Sequence, residues 1–145
     1  MLYTIGYSRR TARNILAIAT ELDAVVIDVR GSPRSRKADF NRPALERVMG
    51  ARYVWRGETL GNYAPNVVTP EGLRWLEQFG DKRHAILMCM EGPPGDCHRH
   101  HMIARPLGGV CHIFDGALID SAELQRAIDE DDDYALLGEL PSAQI

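Results

Sequence analysis

No apolar run in this chain approaches the roughly 18–20 residues that a membrane-crossing helix needs. A helical span is therefore excluded by the sequence. The opening "MLYTIGYSRR" also lacks the charged-then-apolar order of a secretory signal, so a cytoplasmic protein is expected. Cysteine is scarce, with three in the chain, and in a reducing compartment these are expected to be thiols or ligands rather than a disulfide framework. Internal repeats and dividing linkers are absent as well. Residues 1–130 thus read as a single α/β domain, followed over 131–145 by an acidic, weakly ordered C-terminal tail.

What the chain does hold is an ordinary globular balance, 45% hydrophobic and 26% charged. The net charge of −3 hides an asymmetry, because residues 1–60 carry 11 Lys/Arg against 6 Asp/Glu while residues 61–145 carry 6 against 14. The positive charge gathers in "RGSPRSRKADFNR", a loop suited to phosphates, and much of the negative charge in "DEDDDYALLGE".

Short apolar runs alternate with amphipathic segments, which predicts an α/β fold. A three-layer arrangement is expected, with a mostly parallel sheet of about five strands and helices on both faces. The expected strands are Leu2–Ile5, Ala24–Val29, Arg52–Trp55, Ala85–Cys89 and the short "VCHI". Thr11 is placed to cap a helix through Leu22, and Thr69-Pro70 to start one through Phe79. Pro43 suits the first turn of a short helix through Met49. Asp96 is expected to cap a helix from Cys97 to about Arg105, and a final helix runs from Ser121 to about Glu130.

Open parallel sheets bind ligands outside the carboxyl ends of their strands. Read that way, polar residues from distant sequence gather at one edge. The first strand delivers Gly6, Tyr7 and Ser8. The second delivers Asp28 and Arg30, two apart and so on one side of the strand. The fourth delivers Cys89 and Glu91. The helix after it presents Asp96, Cys97, His98 and Arg99 at its amino end, where free N–H groups favour an anion.

"TIGYS" at Thr4 to Ser8, "DVRGSPRS" at Asp28 to Ser35, "LG" at Leu60-Gly61 and "MCMEGPPGDCHR" at Met88 to Arg99 resemble the family called domain of unknown function 488. The resemblance runs from about Leu2 to Ile113. It implies a small α/β fold with these motifs around one site, and no established reaction. The layout is also similar to that of rhodanese-like sulfurtransferases, in which a cysteine at a strand end lies in a cradle of N–H groups. Cys89 holds the matching place, but Pro93 and Pro94 have no N–H to offer.

The expected site therefore has Cys89 as nucleophile or thiol donor, Glu91 as proton carrier and His98 assisting either. Gly6, Tyr7, Ser8, Asp28, Arg30 and Arg99 would bind substrate, and Cys97 is a possible second thiol. Each has a plainer alternative: a packed cysteine, a structural ion pair, a closed turn. Cysteines and histidines are numerous enough for zinc, drawing on Cys89, Cys97, His98, His100, His101, Cys111 and His112, but their spacing lacks the paired pattern of a zinc site, and no metal and no cofactor are expected. Arg34, Arg36 and Lys37 offer a nucleic-acid contact, with Trp55 and Tyr63 as flat surfaces for a base.

The function that fits is an enzyme acting on a small anionic substrate such as a nucleotide or modified base. A nucleotide- or nucleic-acid-binding module without catalysis and a metal-dependent hydrolase are the alternatives.

Overall fold

A computed structural model describes residues 1–130 and 143–144. The expected tail lies largely outside the described residues. In chain order the elements are β1 (Leu2–Gly6), α1 (Ala12–Leu22), β2 (Ala24–Asp28), α2 (Arg42–Met49), β3 (Tyr53–Trp55), α3 (Gly57–Leu60), β4 (Gly61–Tyr63), β5 (Asn66–Val68), α4 (Pro70–Lys82) and β6 (His84–Cys89). A π-helical segment, Arg99–Ala104, then runs into α5 (Arg105–Leu107), followed by β7 (Cys111–Phe114), β8 (Ala117–Asp120) and α6 (Ser121–Asp129), and Ala143–Gln144 pairs with the edge of β8.

The sheet has the order β3-β2-β6-β1-β7-β8, parallel throughout except for the final β7–β8 pair. This is the expected α/β architecture. Alternation along the strands supplies two cores. Ile5, Val26, Ile86, Met88 and Ile113 face α1 and α2, where Ile15, Ala19, Leu45 and Met49 meet them. Their neighbours Leu2, Val25, Ile27, Ala85 and Leu87 face the other way, against Leu76 of α4 and Ile103 and Ala104 of the π segment. Strands buried on both faces read as continuous apolar runs, which is why β2 and β6 stand out in the sequence.

Two caps act as expected: Thr11 accepts from Asn14 N at 3.1 Å, and Thr69 from Gly72 N at 3.0 Å. Other features depart from the sequence reading. β8 was not expected, and the turn before it is formed by Asp115 (φ 52°) and Gly116 (φ 78°), two successive positive-φ residues as in a type I′ hairpin. Residues 57–68, for which no element was expected, fold into α3 and the β4–β5 hairpin.

The helix after β6 also differs. Pro94–Asp96 form a 3-10 turn and Cys97 is extended, with φ −124° and ψ 146°. Cys97 O accepts from His100 N (3.1 Å) and His101 N (3.4 Å), so Cys97 occupies the capping position expected for Asp96. The helix continues through Pro106 and stops at Gly108, whose φ is 71°.

Among the described residues no helix is long and apolar enough to cross a membrane.

Candidate active site at the sheet's carboxyl edge

The connection leaving β1 packs on one face of the sheet and the connection leaving β6 on the other. Adjacent strands whose connections diverge in this way open a crevice at their carboxyl ends. Gly6 and Cys89 are register partners there. The pairing extends one step further, with Tyr7 N donating to Cys89 O and Ser8 N to Met90 O, both at 3.0 Å. A Cβ on Gly6 would stand 1.7 Å from Glu91 O, so only glycine lets the loop after β6 cross the end of β1.

A cavity of about 510 Å³ opens at this place, lined among others by Tyr7, Arg30, Cys89, Glu91, Cys97 and His98. Six of the expected site residues are thus brought together. A second cavity of about 650 Å³ lies beside it, lined by Gly6, Ser8 and Arg10 among others. Glu91 lines both. Gly6 and Ser8 therefore belong to the neighbouring hollow, contrary to the expectation of one concavity.

Asp28 and Arg30 point to one side, as their spacing requires. Arg30 Nε and Nη2 donate to the two Asp28 oxygens at 2.8 and 2.7 Å, and Tyr53 O–H donates to Asp28 at 2.6 Å. Asp28 has no exposed surface. It is a buried counter-ion, not a substrate ligand. Burial opposes the charge on Arg30, but the hydrogen bonds and charge of Asp28 outweigh it and raise its pKa. Arg30 Nη1 donates to Tyr7 O–H at 3.3 Å, and Tyr7 stacks on Phe40 at 4.1 Å between ring centroids. These bonds use three of the five guanidinium N–H groups on a residue that lines the cavity.

Arg99 departs most from its expected role, because it has no exposed surface and lies behind the cavity wall. Its Nε donates to Thr4 Oγ1 at 3.1 Å, Nη1 to Glu91 O at 2.7 Å and to Cys89 Sγ at 3.1 Å, and Nη2 to Gly92 O at 2.8 Å. It therefore holds the loop after β6 and faces the thiols. Substrate does not reach it. Thr4 Oγ1 lies 2.6 Å from His112 Nδ1, and His112 Nε2 lies 3.0 Å from His100 Nδ1. His100 Nε2 reaches Gln125 Oε1 at 2.9 Å. Since Arg99 only donates, a fully bonded chain runs one way, with both histidines neutral and protonated on Nε2.

Cys89, Cys97 and His98 place two sulfurs and a ring nitrogen within 4.8 Å of one another. His98 Nε2 donates to the carbonyls of Val29 (3.1 Å) and Leu60 (3.0 Å), which leaves Nδ1 turned to Cys97 Sγ at 3.6 Å. Such a set has donors suited to a thiophilic metal ion. A guanidinium already bonded to one of the sulfurs makes a second cation there electrostatically costly.

The surroundings of the two thiols favour Cys97 over Cys89 as the one that ionises. Burial pushes the Cys89 thiol well up, and the bond to Cys97 adds to this, outweighing Arg99. Cys97 moves down: the bond from Cys89 favours its charged form against burial, helped by His98, the Arg99 charge and the Arg99 main-chain N–H. The two shifts run in opposite directions, and both favour ionisation of Cys97 before Cys89. The capping position explains the N–H, since a side chain there accepts from the first turn.

Lys37 Nζ donates to the carbonyls of Tyr7, Ser8 and Arg10, so it closes the β1–α1 turn and is not free for nucleic acid. Arg34 lines the thiol cavity and Arg36 is exposed. Trp55 donates to Arg30 O at 2.8 Å and packs against the core, whereas Tyr63 is 57% exposed at the cavity rim. Sequence reasoning missed Ser32 and Asn62, which also line the cavity. Asn62 accepts from Gly31 N at 2.9 Å, a contact that exists only because the unexpected hairpin folds back over the Arg30 loop.

No curated protein and no solved structure matches the chain. A family model does match, over residues 12–66, from α1 through β5. Its description, domain of unknown function DUF488, names the family that the motifs resemble, and the chain is similar to that family over this segment.

Proposed function

We propose that the protein is a cysteine-dependent enzyme acting on a small anionic substrate, with Cys97 rather than Cys89 as the reacting thiolate. The observation that carries this reading is the pairing of Cys97 with His98 on a cavity wall. Two main-chain carbonyls hold His98 Nε2 as the donor, so Nδ1 alone exchanges a proton with the sulfur. Arg30 and Arg34 give the same cavity positive charge, and Tyr63 at its rim offers a flat face to a nucleotide base. Glu91 and Asp96 line the same cavity, and Arg36 is exposed in the loop that carries Arg34. Asp28 balances the charge of Arg30 from beneath the wall, so an anion entering the cavity would meet the exposed Arg34 first.

Iodoacetate and its uncharged analogue iodoacetamide test both halves of this reading at once. Relative to a free thiol, Cys97 should favour iodoacetate on the order of tenfold, as a positively lined cleft favours anions. Inorganic phosphate and mononucleotides should protect it. Equal preference, or a Cys97 that neither reagent modifies, would overturn the reading.

A further inference from the structure

We propose that Cys89 and Cys97 act in succession as a dithiol that reduces a small anionic disulfide, Cys97 attacking first and Cys89 resolving the adduct. The proposal rests on the reading of Cys97 as the reacting thiolate and names a substrate class for it. Three observations point to it. The two sulfurs lie within 4.8 Å of each other and of a His98 ring nitrogen. Arg99 Nη1 donates to Cys89 Sγ at 3.1 Å. Cys97 stands in extended backbone between the 3-10 turn and the π-helical segment, outside both.

The chemistry follows from a buried cation with two sulfurs to choose between. In the reduced protein the Cys97 charge opposes ionisation of Cys89. Cys97 S⁻ attacks one sulfur of the substrate, the S–S bond breaks, and the first half leaves as a thiolate that takes the proton from His98 Nδ1. Cys97 is now a neutral mixed disulfide, and its repulsion of Cys89 is gone. Arg99 has not moved and still faces the Cys89 sulfur, so the negative charge it stabilises now belongs there. His98 Nδ1, freed of its proton, takes the one from Cys89. Cys89 S⁻ then attacks the Cys97 sulfur, a Cys89–Cys97 bond forms, and the second half leaves and is protonated by His98. The substrate disulfide gains two electrons and two protons, and the pair loses them. An external dithiol returns the pair to its reduced form by the same exchange.

Closing the bond requires the sulfurs to reach about 2.05 Å. Arg99 pins the Glu91 and Gly92 carbonyls of the loop that joins the two cysteines, so the movement falls to Cys97.

The test uses oxidised glutathione, an anionic disulfide, on the reduced full-length protein, with acid quenching and mass spectrometry of the peptides. The wild type should end as an internal Cys89–Cys97 disulfide with no glutathione retained. Cys89→Ser and Cys89→Ala should each hold glutathione on Cys97, on most molecules, because no second thiol resolves the adduct. Wild type that retains glutathione on Cys97 while Cys89 stays free would overturn the succession. So would an adduct formed first on Cys89. Iodoacetate labelling of the same preparations separates the two levels of the argument. Labelled Cys97 without an internal disulfide sinks the dithiol step alone, and unlabelled Cys97 sinks the thiolate reading beneath it.

Discussion

Two buried arginines flank the same crevice, one from each face of the sheet, and their partners differ in kind. Arg30 meets a carboxylate in a two-pronged pair that Tyr53 completes. Its charge balance is fixed at any ordinary pH. Arg99 instead bonds two carbonyls, a hydroxyl and a sulfur. A thiol partner can be charged or neutral, so the balance around Arg99 depends on what the thiols are doing. The carboxylate-paired arginine builds the wall, and the thiol-paired arginine sets the chemistry.

The sharpest way to break the comparison is to remove the carboxylate. Asp28→Ala leaves Arg30 charged and buried without its counter-ion, and should cost about 3–5 kcal/mol. Urea unfolding would show it as a large fall in midpoint, whereas a loss under about 1 kcal/mol would mean that Arg30 swings into the cavity and finds water. Arg99→Ala comes next, at about 2–3 kcal/mol, because the Glu91 and Gly92 carbonyls lose their donor. Unlike Asp28→Ala, it should also slow alkylation of Cys97 at neutral pH.

His112 tests the chain behind Arg99. Burial, then the charges of Arg99, His100 and His101, push its pKa down to about 2. The unfolded chain takes up a proton below about pH 6.5 that the folded chain refuses. Stability from this group is therefore complete above that pH and is lost as pH falls toward 2, by up to about 1.4 kcal/mol per unit. Unfolding curves across that window should be flatter for His112→Gln, and parallel curves would place the proton elsewhere. The smallest effect belongs to the exposed Arg42–Glu46 pair, where Arg42→Ala should change stability by about 0.5 kcal/mol or less.

Much of the frame was legible because burial on both faces writes itself into β2 and β6 as unbroken apolar runs. The Asp28–Arg30 pairing followed from two-residue spacing. Legibility ended where periodicity did. The loop from Glu91 to Asp96 has no repeat to read, so nothing in it shows that the capping position falls on Cys97. The π-helical turn brings Arg99 inward, and an arginine beside an expected pocket reads as a ligand when its burial is unknown. The Asp115-Gly116 pair did carry a hairpin signal, and it would have found β8. The thiol assignment was out of reach, since charge on either sulfur depends on which donors face it.

Alkylation rate against pH, followed at Cys97 and Cys89 by peptide mapping, tests the central claim most directly. The account predicts that Cys97 reacts in the wild type at a rate that stays level well below the free-thiol pKa of about 8.5, while Cys89 stays silent through neutral pH. It also predicts that Cys89 becomes reactive at lower pH once Cys97→Ser removes the competing charge. A wild-type profile in which Cys89 reacts first, or in which Cys97 titrates like a free thiol, would contradict it.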